Sequence, residues 1–215
     1  MGILDLNTSN QHCTLQAHLI TYGRAATPEI TQYIALEIES MWNEPAGVVR
    51  IDGADYTLRF QITSELRAEI SELEVLQNTD PRNNYFRIED FVSCNISFVD
   101  GIGSNTGVFK LENLYRGSTT AAHEFGHTIG LVHPDDLDIR GQGVPGIMYP
   151  RGTLVDARYQ YDFTAAAGMK GGTLHPQFRK VRQLDVDDLR IHRLDFKNNM
   201  AIIGEFTNVF HWEGE

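Results

Sequence analysis

Apolar and polar residues alternate from Cys13 to Leu19, with Cys13, Leu15, Ala17 and Leu19 set against Thr14, Gln16 and His18, which is the period of a half-buried strand. Thr27-Pro28-Glu29 then offers an N-cap, a first-turn proline and a favourable charge. The residues Ile30, Tyr33, Ile34, Ile38, Met41 and Trp42 keep helical spacing behind it, so a helix is predicted from Pro28. Val48, Val49 and Ile51 run into Asp52-Gly53, and Tyr56, Leu58, Phe60 and Ile62 alternate after it, the pattern of a β-hairpin. Leu66, Ile70, Leu73 and Leu76 allow a helix within residues 64–77, and residues 78–84 read as a loop. Strands are predicted over Tyr85–Ile88 and Cys94–Val99, and a short edge strand over Val108–Leu111. Strands, a helix, more strands and a final helix imply an α+β fold, with an α/β-like upper lobe whose twisted sheet carries helices above a cleft.

A chain of 215 residues can bury one sizeable core, so a single domain over 1–215 is expected. Its upper lobe would cover about residues 11–130 and its lower lobe about 131–215. The net charge of -11 argues against nucleic acid or an anionic membrane as the main partner. Cys13 and Cys94 are too few for a disulfide scaffold, and since each lies in a strand-like run, both are expected to be buried free thiols. Met1 to Leu6 has neither the basic start nor the apolar run of a classical signal peptide, and no stretch is long enough to span a bilayer. A cytoplasmic protein or one exported without a classical signal is the expectation.

The chemistry is concentrated in residues 123–133, which read HExxHxxGxxH. His123 and His127 lie four apart, so on a helix both imidazoles project from one face, about 6 Å apart along the axis. That spacing suits two ligands of one catalytic Zn2+ ion. His133 can reach the same ion only if the chain turns sharply, and Gly130 is the residue that accepts the positive φ of such a turn. Three nitrogen ligands leave a fourth position open to water, and Glu124, next to His123 but rotated around the axis, is the candidate general base.

This motif resembles that of the metzincin clan of zinc endopeptidases. The surrounding residues Ala121-Ala122 and Gly146-Ile147-Met148-Tyr149-Pro150 are similar to its matrixin branch. The resemblance implies a fold with a zinc helix, a methionine turn in which Met148 underlies the site, and a C-terminal helix near Leu184–Leu189 in which Asp187 or Asp188 buttresses that turn. It also implies that Tyr149, Pro150 and Arg151 wall a substrate pocket, and that Gly107, Val108 and Phe109 pair with extended substrate, although an ordinary edge strand explains those three residues equally well. The segment 152–182 is longer than the compact matrixin pattern needs, so it is expected to form a lid or a pocket wall. The implied activity is hydrolysis of peptide bonds in protein or peptide substrates by a metal-activated water with Glu124 as base. The alternative is a non-catalytic metzincin-like module that holds a peptide or protein in its cleft.

Overall fold

The computed structural model describes residues 1–213 as a mixed α+β fold organised on one central strand, β2 (His12–Tyr22). Along one flank β2 pairs in parallel with β4 (Ala54–Leu66), and β4 in turn pairs antiparallel with β3 (Val48–Ile51). On the other flank the first half of β2 carries β1 (Gly2–Asn7), antiparallel, with Ile3 opposite Gln16. The second half carries β5 (Asn83–Glu89), parallel, with His18 opposite Asn83. The sheet continues through β7 (Thr106–Lys110), parallel to β5, to β6 (Phe98–Val99), antiparallel to β7. A further strand, β8 (Met200–Ile203), joins the outer side of β1.

The predicted elements form where the local pattern was strong. Helix α1 (Pro28–Asn43) begins at Thr27, whose side chain accepts from the Ile30 amide at 3.3 Å. The β3–β4 hairpin closes through Asp52 and Gly53, with φ of 49° and 83°, a turn whose twist matches the flanking strands. Buried residues alternate along β4 as expected from Tyr56 to Ile62.

Four expectations are corrected. The helix allowed within residues 64–77 shrinks to α2 (Glu72–Leu76), because Glu65 and Leu66 stay in β4 opposite Ile20 and Thr21. The strand expected from Cys94 reduces to two residues, and Cys94 is exposed; Cys13 is buried, and both thiols are free. Gly107 and Val108 are not on a free edge, because β7 has β5 on one side and, opposite these two residues, β6 on the other; the outer edge there is β6. Residues near 200, assigned from sequence to the lower lobe, instead return to the sheet as β8.

Trp42 of α1, Phe60 of β4 and Phe125 form the aromatic centre of the main core, with ring centroids 5.2 to 6.4 Å apart. Burying such side chains contributes roughly 1.5–3 kcal/mol each. A separate small core of Ile139, Val155, Tyr159 and Leu174, with Tyr149 and Phe178 packed on it, organises the segment 152–182, which is therefore a packed wall. No helix among the described residues is long and apolar enough to cross a membrane.

Candidate metal centre

Helix α3 (Thr120–Thr128) is buried along its whole length and lies against α1, where Trp42 Nε1 donates to Ala122 O at 3.0 Å. Ser118 and Thr119 stand immediately before this helix. Ser118 Oγ takes only the Thr120 amide, at 3.2 Å. The next two amides, of Ala121 and Ala122, donate to Glu37 Oε1 of α1 at 3.0 and 3.4 Å. A carboxylate on a neighbouring helix thus satisfies the orphan donors and faces the positive end of the α3 dipole. Thr119 is drawn elsewhere: its hydroxyl donates to Pro176 O and accepts from Arg179 Nε.

The other end of α3 turns the chain back. Gly130 has φ of 99°, its amide donates to His127 O, and the Leu131 amide donates to Gly126 O at 2.9 Å. This pair of bonds is the Schellman arrangement, which a residue with a Cβ adopts only under strain. It brings His133 back over the helix. His133 Nε2 lies 3.0 Å from His123 Nε2 and 3.1 Å from His127 Nε2.

Hydrogen bonding fixes what these nitrogens are. His123 Nδ1 lies 2.7 Å from Ile147 O, and His127 Nδ1 lies 2.7 Å from Leu131 O. A carbonyl can only accept, so each Nδ1 carries the hydrogen and each Nε2 presents a lone pair. Burial keeps the rings neutral: the His123 pKa falls well below its usual value, that of His127 falls to about 4, and that of His133 is also lowered. When His133 carries its hydrogen on Nδ1, its Nε2 lone pair joins the other two, and lone pairs at this spacing repel one another unless a cation lies between them. They fit one, since ligands about 2.0–2.1 Å from a tetrahedral ion stand roughly 3.3 Å apart. The three histidines form a largely buried cluster able to coordinate a metal ion.

Glu124 follows His123 and is buried, with no protein hydrogen bond to its carboxylate among the described residues. Burial raises its pKa to about 8, and the positive charge of Arg179 opposes that rise. Its side chain lines a recess of about 240 Å³, together with His123, His133, Pro150 and Arg151.

No protein-family model and no curated protein matches the chain. The centre is therefore read from its geometry. Met148 is buried beneath α3, where a Cβ on Gly126 would come 2.3 Å from its sulfur, so only glycine lets helix and methionine approach this closely. Asp187 and Asp188, the expected buttress, are exposed. The acidic residue near the turn is Asp185, two or three positions earlier: it is buried, which raises its pKa, it accepts from the Arg182 amide at 2.7 Å, and it lies close enough to the Ile147 amide for that amide to oppose the rise. It sits at the third position of α4 (Gln183–Asp188), where a short acid folds back on the helix start. Tyr149 packs on the small core, Pro150 and Arg151 line the recess, and Gly107, Val108 and Phe109 do not. Ile96 and Ser97, beside β6, line it instead.

Arg179 was not singled out from the sequence. It is 3% exposed and, from the 152–182 segment, reaches the start of α3 and the backbone at Tyr149. Its Nε donates to Thr119 Oγ1 at 2.8 Å, Nη1 to Tyr149 O at 3.2 Å and Nη2 to Ser118 O at 3.1 Å. Nη1 also lies 3.0 Å from His123 Nδ1, a contact without a hydrogen bond because both nitrogens are donors. Burial lowers the Arg179 pKa to about 10, with Glu124 the foremost charge holding it up.

Proposed function

We propose that the protein is a zinc-dependent endopeptidase of metzincin type, hydrolysing peptide bonds with Glu124 as general base. One observation carries this reading. A nine-residue helix presents two imidazole acceptors and a buried carboxylate with no hydrogen-bond partner among the described residues, and a third imidazole folds back to join them at an open recess. The family assignment is supported by HExxHxxGxxH and by Met148 packed beneath Gly126.

His123, His127 and His133 would hold the ion; three neutral nitrogens suit zinc, which, when bound, supplies Lewis acidity and lowers the pKa of water from 15.7 to about 7. The remaining steps belong to the chain. Glu124 takes a proton from the attacking water and returns it to the leaving amine. With no hydrogen-bond partner among the described residues, its oxygens are free for that transfer. The Ile147 and Leu131 carbonyls hold the His123 and His127 rings in one tautomer and orientation. A module that only bound peptides would gain nothing from an unpartnered buried carboxylate, which opposes folding. The reading is tested by stripping metal with a chelator and following hydrolysis of an unfolded protein substrate. Hydrolysis is expected to vanish and to return with one equivalent of zinc; undiminished hydrolysis by the stripped protein would overturn it.

A further inference from the structure

The recess beside the histidines differs in sign from the rest of the molecule. The chain carries a net charge of -11, yet among the described residues that line this recess the ionisable side chains other than the histidines and Glu124 are two guanidinium groups, those of Arg151 and Arg179. They play different parts. Arg179 is buried with its donors committed to Ser118, Thr119 and Tyr149, so it contributes field and not contact. Arg151 is exposed, and its one hydrogen bond among the described residues is a long one, from Nη2 to Asn113 Oδ1 at 3.5 Å.

Among the described residues no carboxylate forms an ion pair or hydrogen bond with Arg151. Glu112 is near enough to feel its charge, but the Glu112 carboxylate is held by Lys110 Nζ at 2.6 Å. Tyr161 and His175 also lie within the field of Arg151, and neither supplies a negative charge at neutral pH. A guanidinium presents a planar fork of donors that matches a carboxylate, and a recess with low-dielectric walls strengthens the attraction. Ile96 and Pro150 supply such walls here.

We propose that this recess selects peptides carrying an aspartate or glutamate side chain at one fixed position beside the scissile bond, with Arg151 as the specificity-determining residue. This rests on the endopeptidase reading and names its substrate class. It reverses what bulk charge suggests, since a protein this acidic would attract basic substrates at long range.

The test is digestion of a diverse peptide mixture by the zinc-loaded protein, with cut sites read by mass spectrometry, beside Arg151→Gln and Arg151→Glu. The wild type is expected to show acidic residues enriched at a single position relative to the cut. Arg151→Gln should lower the preference for glutamate over glutamine at that position about tenfold, and Arg151→Glu should abolish or invert it. Zinc content and melting temperature of both variants should match wild type, because the side chain is exposed. Cuts without acidic enrichment, or enrichment unchanged in Arg151→Glu, would overturn the proposal and leave the peptidase reading standing. No cuts by zinc-loaded wild type would overturn both.

Discussion

Helix α3 and the segment 152–182 both deliver a charged side chain to the same place, and they do so by opposite means. In α3 the backbone itself sets the geometry: residues 123, 124 and 127 are fixed relative to one another by helical repeat, and the glycine turn carries residue 133 back. The segment has almost no regular structure, closes on its own small core of Ile139, Val155, Tyr159 and Leu174, and reaches the centre with Arg179 alone. One arrangement is local in sequence, the other depends on contacts some 60 residues apart, such as Arg179 with Ser118 and Thr119. The chemistry of the proposed reaction is written into the local part, and its electrostatic setting into the distant one.

The largest test of that division concerns Glu124. Its folded pKa of about 8 lies above the ordinary glutamate value, so its contribution to stability is unfavourable at high pH and disappears as pH falls below about 4.5. Metal-free Glu124→Gln should therefore be more stable than metal-free wild type at pH 7, by up to about 3 kcal/mol, with the gap closing towards pH 4.5. His127, lowered to about 4, acts in the opposite sense: between about pH 6.5 and 4 only its unfolded form takes a proton, so stability falls with falling pH. Urea titrations of both proteins across this range separate the two effects, and a gap that does not change with pH would refute the assignment to Glu124.

Cutting the link between the two regions comes next. Arg179→Met deprives the carbonyls of Ser118 and Tyr149 and the hydroxyl of Thr119 of their donor, and should cost roughly 2–3 kcal/mol in urea unfolding. A loss of a few tenths would mean that the segment is not fastened to α3 through this residue. Within α3, Gly126→Ala forces Met148 aside, and an expected loss of roughly 1–2 kcal/mol would remain after the gain in helix propensity. A more stable Gly126→Ala protein would show that the close approach is dispensable. Smallest of all, Glu37→Ala removes the acceptor that α1 provides for the Ala121 and Ala122 amides of α3 and should lower stability by about 1 kcal/mol, seen as a small drop in melting temperature.

The same contrast explains what could be read from the sequence. Periodicity located β2, α1 and the β3–β4 hairpin, and the spacing of four and then six residues brought His123, His127 and His133 together, because each depends on neighbours within a few turns of chain. Gly130 was legible for its backbone freedom. Arg179 was not, since nothing in Gln177-Phe178-Arg179-Lys180 distinguishes an arginine that will be buried from one that will not. Glu37 was not legible either, because its part is played on the amides of another helix. Asp187 and Asp188 were chosen over Asp185 by analogy, whereas the buried face of α4, marked by Val186 and Leu189, favours the earlier residue. The outer strand was misplaced because β6 is only two residues long and carries too little pattern to be seen.

The central claim is that Glu124 acts as the base beside a metal held by three histidines. Its most direct measurement is peptide hydrolysis by wild type and Glu124→Gln, each with one zinc per chain verified by elemental analysis. The account predicts hydrolysis by wild type and a loss of at least about a hundredfold in Glu124→Gln at unchanged zinc content. Equal hydrolysis by the two proteins would contradict it.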